Sequence, residues 1–427
     1  MPSSPPRTFA DIAGGRVGIF GLGMEGRTSV ARLAQLGAAP AVVVDDQPVD
    51  ESVVVTAKGG VDALLACDVV VKAPGISRYR EDVEALVAAG VEVVGALGLW
   101  LEEHGPDGVV GVTGTKGKST TVNLAGHLAR GLGRRPFVGG NIGRPPWDPA
   151  VDWSAHDLVV LEVSSYQATD LWSSPEVAVV TSLHEDHLDW HGSVERYYSD
   201  KLSLCGHPGG RVTLANGDDE RLRARLPGAT WVRGGEPEPW TEAVGLRGAH
   251  NRVNARLAAA ALAALGVDGA DDPVRLERAA AGYDPLPHRL TTVADLDGVE
   301  YVDDSLSTNV LPTIAALEVF AGRPVALLAG GHDRHIDYEP LASYLAARPA
   351  PTLLVALPPS GARIGATARA AGVEVVDAAD MDRAVQAAGA WCRQAGGGVV
   401  LLSPAAPSYG IYRNYVERAE AFVAAIP

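Results

Sequence analysis

The sequence predicts an α/β protein of three domains, and three observations carry that expectation. Short β-branched runs recur between Ala- and Leu-rich stretches along the whole chain, glycine-rich turns follow two of those runs directly, and 427 residues amount to about three domains of ordinary size. With 47% hydrophobic and 21% charged residues, the composition is that of a folded globular chain, which excludes disorder and coiled coil.

The apolar runs lie at 17–20, 41–44, 69–71, 91–94, 109–112, 158–161, 177–181, 326–328, 353–355 and 398–402. Runs this short, alternating with helical patterns such as 119–132 and 251–265, read as βα units around buried parallel sheets. The segment 102–107 (EEHGPD) interrupts one helical stretch before a new strand, and 282–288 (GYDPLPH) sets two prolines before a fresh strand-rich region. Linkers at these places divide the chain into 1–105, 106–285 and 286–427, each the size of one α/β domain. No internal repeat of 20 to 50 residues is present.

A formal charge of −16 opposes nonspecific nucleic-acid binding and requires that any phosphate be held locally, by backbone N–H groups and a few cations. Cys67, Cys205 and Cys392 lie far apart without metal-ligand spacing, as small buried thiols do in a reducing compartment. The first residues lack an apolar signal segment, and no stretch reaches the ~18 uninterrupted apolar residues of a membrane span. The expectation is a cytoplasmic monomer that acts on small molecules, with no membrane or nucleic-acid partner.

The first glycine-rich turn, Gly21-Leu22-Gly23-Met24-Glu25-Gly26, follows the run 17–20 and opens a helix predicted over 27–36. In that setting Gly21, Gly23 and Gly26 let the backbone approach a diphosphate at a helix N-terminus, and Asp45, about 20 residues on, stands where an acid commonly binds a ribose hydroxyl or a base edge. A dinucleotide and a UDP-sugar offer this turn the same charge, so both remain open here, as does a purely structural tight turn.

The second turn carries Gly114, Thr115, Lys116, Gly117, Lys118, Ser119 and Thr120 from the run 109–112 into a helix. It is not the strict GxxxxGK[ST] loop, since Val112 occupies the first glycine position. The physical parts of an ATP-phosphate loop are nonetheless present: small residues that expose N–H groups, Lys118 for the β/γ-phosphates and the Ser119 hydroxyl for Mg²⁺. Glu162 ends the run 158–161 at a sheet edge, where a second Mg²⁺ ligand is needed. The polar cluster His184-Glu185-Asp186-His187 follows the run 177–181, with Lys201 fourteen residues past His187.

These motifs, with Glu162-Val163-Ser164-Ser165-Tyr166-Gln167, His250-Asn251-Arg252-Val253-Asn254 and Pro287-His288-Arg289, resemble in order and spacing the Mur ligases, ATP-dependent amide ligases of peptidoglycan precursor synthesis. The first turn and the ending Ser403-Pro404-Ala405-Ala406-Pro407-Ser408 resemble the MurD type, which joins glutamate to UDP-N-acetylmuramoyl-L-alanine. The resemblance implies a Rossmann-like UDP-sugar domain over 1–105, a central ATP-binding domain over 106–285 and a Rossmann-like glutamate-binding domain over 286–427. It also implies one Mg²⁺ on Ser119 and Glu162 and a second near His187. Lys201 matches a lysine that is carbamylated in this family. Asn141 and His187 match the pair that positions the reacting carboxylate, Asn254, Arg289 and Asp304 match nucleotide contacts, and Thr308, Arg334, Ser408 and Tyr415 match glutamate contacts.

The chain departs from the pattern in places. Leu306, in Asp304-Ser305-Leu306-Ser307-Thr308-Asn309, stands where the D-glutamate-adding MurD type carries a lysine, and Pro407 stands inside a loop that usually reads Cys-Ala-Ser. His335 occupies a position where a small residue is common, and Gly95-Ala96-Leu97-Gly98-Leu99-Trp100 lacks two acids of the usual pattern. The phosphate and metal motifs are intact. Such a pattern looks like the branch that attaches L-glutamate, with the D-glutamate-adding type as the alternative.

Overall fold

The computed structural model describes residues 7–427, which form three sheets. The first contains β1 (Val17–Phe20), β2 (Val42–Asp45), β3 (Val53–Val55), β4 (Val69–Lys72) and β5 (Glu92–Gly95), all parallel in the order β3-β2-β1-β4-β5. The second contains β6 (Val109–Thr113), β7 (Pro136–Gly140), β8 (Leu158–Glu162), β9 (Val177–Val180), β10 (Val212–Asn216) and β11 (Thr230–Val232), in the order β11-β10-β9-β6-β8-β7. The third contains β12 (Thr291–Leu296), β13 (Val299–Asp303), β14 (Val325–Gly330), β15 (Thr352–Leu357), β16 (Glu374–Asp377) and β17 (Gly398–Leu402), in the order β12-β13-β17-β14-β15-β16. Among the described residues, only the β12–β13 pair is antiparallel.

Every strand that the apolar runs predict is present. The strands they miss lie at sheet edges or carry polar and glycine residues: β3, β7, β11, β12 and β16 are edge strands, and β16 is largely exposed. β13 escapes the apolar pattern because Glu300 sits inside it, buried and held by Arg247 at 2.6 Å and Arg323 at 2.5 Å.

The chain forms two compact units, 7–244 with 251–283 and 245–250 with 284–427. The first two sheets share one unit and one apolar core, in which Val17 and Val71 of the first sheet and Trp100 of the helix after β5 pack with Val109, Val159 and Leu161 of the second. The segment 245–250 departs from a continuous division at 285 because Arg247 pairs with Glu300 of the second unit.

Within the first unit the two sheets are tied by buried charge. Lys72 at the end of β4 reaches Asp170 at 3.0 Å, and Arg78 reaches the other Asp170 oxygen at 2.5 Å. Burial would raise the Asp170 carboxyl, but the two cations outweigh it and hold it below its usual range. Gly98 permits the approach, since a Cβ there would lie 2.5 Å from the Asp170 carbonyl oxygen. Asp170→Asn removes the buried carboxylate that Lys72 and Arg78 share, so we expect a loss of about 3–5 kcal/mol in denaturant unfolding; a loss below about 1 kcal/mol would show that the cluster contributes little to stability.

Candidate active site

The phosphate loop leaves β6 in the middle of the second sheet, where the chain's connections diverge to either side. Gly117 caps the helix Lys118–Gly131 with φ +90, and a Cβ there would meet Asn254 Oδ1 at 2.6 Å, so both conformation and space demand glycine. The loop is stitched to the end of β9: Thr115 N donates to Ser182 O at 2.9 Å, Lys116 N to Ser182 Oγ at 2.9 Å, and Thr181 Oγ1 to Lys116 O at 2.5 Å. Thr115 Oγ1 also meets Tyr197 Oη at 2.9 Å. Ser119 and Thr120 fall in the first turn of the helix, at the positive end of its dipole.

Lys118 Nζ donates to Gly114 O at 2.7 Å and Thr115 O at 3.2 Å, and Lys201 Nζ, from the helix Val194–Leu202, donates to the same Gly114 O at 3.2 Å. Lys201 is only 2% exposed and lies over the Tyr197 ring at 4.9 Å. Burial, reinforced by the Lys118 charge, lowers its amine well below the usual lysine range.

Glu162 ends β8 in register with Val112 of β6, which brings its carboxylate beside the loop. Asn141 Nδ2 donates to Glu162 Oε1 at 2.7 Å, and Asn141 N to Glu162 O at 2.9 Å. Glu162 Oε2 is buried without a hydrogen-bond partner among the described residues. A buried carboxylate oxygen in that condition suits a cation. Among the described residues no three His, Cys, Asp or Glu side chains gather as a metal cluster, so a cation here takes remaining ligands from hydroxyl, phosphate or a modified lysine.

His187 adopts a left-handed conformation, φ 51, with its ring against Tyr166 at 5.1 Å. Loss of water from its packed face, with the Lys201 and Lys116 charges nearby, lowers the imidazole to about 4 and favours the neutral form able to ligate, while 43% of the side chain stays exposed.

After β1, Gly23 caps the helix Met24–Gln35, which begins three residues before the start expected at 27 and takes Gly26 into its first turn. Asp45, however, uses its carboxylate within the protein: Leu22 N donates to Oδ2 at 2.6 Å and Gln47 N to Oδ1 at 3.0 Å. It shapes the turn in which Gly21, Gly23 and Gly26 lie. Asn254 is likewise engaged internally, donating to Asn251 Oδ1 at 3.1 Å.

In the second unit, three loops at the ends of β13, β14 and β17 converge. Ser403 Oγ donates to Asp304 Oδ2 at 2.7 Å, and burial raises the Asp304 carboxyl to about 7. Arg334 Nη2 donates to Thr308 O at 2.9 Å, Asp333 pairs with Arg363 at 2.6 Å, and Asp337 accepts from Glu339 N at 2.9 Å. Ser408 is buried, and Tyr415 begins the helix Tyr415–Ala424 with its ring 5.7 Å from His288, next to Arg289. The fully buried Arg418, which the sequence reading overlooked, holds two of these loops by donating to Ala406 O at 2.9 Å and Ser305 O at 2.8 Å.

A family model described as the Mur ligase middle domain matches residues 112–234. A protein of Micromonospora sp. named UDP-N-acetylmuramoyl-L-alanine–L-glutamate ligase is 41% identical over 98% of each chain. Proteins of the same name from Salinispora tropica and Xanthomonas campestris pv. campestris are each 39% identical, over 98% of both chains and over 97% of this chain and 95% of the relative. Among solved structures, a MurF from Acinetobacter baumannii aligns with TM-score 0.57 at 18% identity, covering 91% of this chain and 87% of that one. The MurF ligase of Thermotoga maritima in complex with ADP aligns with TM-score 0.55 at 16% identity over 98% and 97%. These structures share the three-sheet fold, and the relatives share the sequence almost end to end: the chain belongs to the Mur ligase family, among its MurD-type members.

Proposed function

We propose that the chain is an ATP-dependent ligase that joins L-glutamate to UDP-N-acetylmuramoyl-L-alanine in peptidoglycan precursor synthesis, through an acyl phosphate. The observation that carries the reaction class is Glu162, whose inner oxygen is buried and unpartnered beside a loop built for phosphate. L-glutamate is favoured by the relatives that bear it in their names and by Leu306, an apolar side chain where the D-glutamate-adding type carries a lysine.

In this reading the domains 1–105, 106–285 and 286–427 hold the UDP-sugar, ATP and glutamate. The diphosphate rests on the turn of Gly21, Gly23 and Gly26, whose shape Asp45 maintains. The alanine carboxylate, oriented by Asn141 and His187, attacks the γ-phosphorus of ATP and ADP leaves. The glutamate amine then attacks the acyl carbon, phosphate departs, and the nitrogen gives up a proton to become an amide.

Lys118 supplies positive charge to the transferring phosphoryl group. Gly114, Thr115, Lys116, Gly117 and Thr120 shape the phosphate cradle. Ser119, Glu162, His187 and a carbamylated Lys201 are the residues that would hold two Mg²⁺ ions, which when bound neutralise phosphate charge and draw two anions together. Asn254, Arg289 and Asp304 serve the nucleotide. Arg334 can hold a glutamate carboxylate through paired hydrogen bonds, with Thr308, Ser408 and Tyr415 around it. We take the protein to act as a cytoplasmic monomer; no helix among the described residues is long and apolar enough to cross a membrane.

Lys118→Ala removes a charge used in the transition state, so kcat should fall about 10²-fold or more, read as ADP formation; near-normal turnover would remove Lys118 from the reaction. For the enantiomer, phosphate release is measured with UDP-N-acetylmuramoyl-L-alanine, ATP, Mg²⁺ and each glutamate separately. L-glutamate should support turnover, and Leu306→Lys should raise the ratio of D- to L-glutamate use. Turnover with D-glutamate alone would overturn the L assignment, and a ratio unmoved by the substitution would place stereochemical control outside this loop.

A further inference from the structure

Behind the phosphate loop runs a hydrogen-bonded chain of residues that carry no role in the reaction described above. Ser165 Oγ lies 3.0 Å from His191 Nε2, His191 Nδ1 lies 2.6 Å from Asp200 Oδ2, and Tyr79 Oη donates to Asp200 Oδ1 at 2.7 Å. A carboxylate accepts, which puts the imidazole proton on Nδ1 and leaves Nε2 to accept from the Ser165 hydroxyl.

The same order of groups serves hydrolases as a nucleophile and its base. That use is closed here: Ser165 is 3% exposed and His191 has no exposed surface, so no substrate reaches the hydroxyl. What distinguishes the chain of bonds is where its ends lie. Ser165 follows Glu162 by three residues at the end of β8, and Asp200 directly precedes Lys201. His191 ends the short helix that starts after His187, and its ring lies 5.5 Å from Tyr166, which itself packs on His187.

We infer that His191 is a positioning residue that sets the spacing between Glu162 and Lys201, and that Tyr79 couples this spacing to the first sheet. The inference rests on the ligase reading, in which Glu162 and Lys201 share a cation site. Partners of metal-ligating side chains commonly fix ligand geometry in this way.

The coupling has a visible route. Tyr79 belongs to the segment that follows β4. Ser77 Oγ of that segment donates to Trp190 O at 2.8 Å, and Trp190 Nε1 donates to Pro74 O at 3.1 Å. With the Tyr79–Asp200 bond, three hydrogen bonds fasten residues 74–79 to the helices that carry His191 and Lys201. The segment begins at Ala73, whose N–H bonds to Phe20 O at 2.8 Å, immediately before the first glycine-rich turn. A ligand seated on that turn therefore rests against the segment that anchors Asp200.

The test compares wild type with His191→Ala, His191→Asn, His191→Gln and Tyr79→Phe. The asparagine amide can replace the Nδ1 donor to Asp200, and the longer glutamine can reach Ser165. Binding of Mn²⁺ in the presence of ADP is read by electron paramagnetic resonance, without turnover, beside kcat and KM. His191→Ala should weaken Mn²⁺ binding about tenfold and lower kcat by a similar factor, with KM for ATP within about twofold of wild type. The asparagine or glutamine variant should recover part of both losses, and Tyr79→Phe should show a smaller change of the same sign. Wild-type Mn²⁺ affinity in a folded His191→Ala protein that still binds ADP would overturn the inference; should that variant fail to fold, Tyr79→Phe decides, and wild-type affinity there would overturn it. Absence of glutamate-dependent phosphate release from wild type would instead sink the ligase reading, while the Mn²⁺ measurement would still judge the spacing.

Discussion

Gly114 O accepts hydrogen bonds from two lysine amines at once, Lys118 Nζ at 2.7 Å and Lys201 Nζ at 3.2 Å, and the second of these is almost wholly buried. Two ammonium ions in that arrangement would repel each other with little water to screen them. Burial and the Lys118 charge ease the conflict by depressing the Lys201 amine well below the usual lysine range, which favours its neutral form. A neutral buried amine is a nucleophile toward CO₂. Addition, with loss of one proton from the nitrogen to solvent, would turn it into a carbamate anion that attracts Lys118 and offers oxygens to a cation. In this account the site depends on that change of sign.

The fold makes the contact unavoidable. Gly114 lies where β6 ends, Glu162 ends the neighbouring β8, and Thr181 and Ser182 fasten the loop from the β9 side. Tyr197 closes the floor, bonding Thr115 while lying under Lys201. The first sheet is held to this arrangement by the Lys72–Asp170–Arg78 cluster, whose charges are buried and therefore specific in their geometry. The glycine-rich turn of the first sheet and the phosphate loop of the second thus belong to one compact unit.

How much of this could be read from the chain alone depends on which physical demand each residue answers. Glycines at the two turns declare themselves, because Gly117 must adopt positive φ against Asn254. Buried parallel strands declare themselves through continuous apolar runs, whereas β12 and β16 are edge strands whose exposed faces erase the pattern. Lys201 could be found only through resemblance: its sequence neighbours read as a solvated helix, and its burial comes from Tyr197 and a loop distant in sequence. Asp45 was legible as an acid at a strand end, but the Leu22 N–H that it holds was not. Asp170 and Arg418 gave no local signal, since each earns its place by contacts with segments far along the chain.

The most direct test of the account concerns the chemical state of Lys201. Protein equilibrated with carbon-13 bicarbonate, ADP and Mg²⁺ would be examined by carbon-13 NMR, with Lys201→Ala protein as the reference. The account predicts a protein-bound carbamate resonance in the wild type that is absent from the variant. Identical spectra from the two proteins, both folded and binding ADP, would mean that Lys201 stays an unmodified amine, and the reversal of charge on which the site is said to depend would be contradicted.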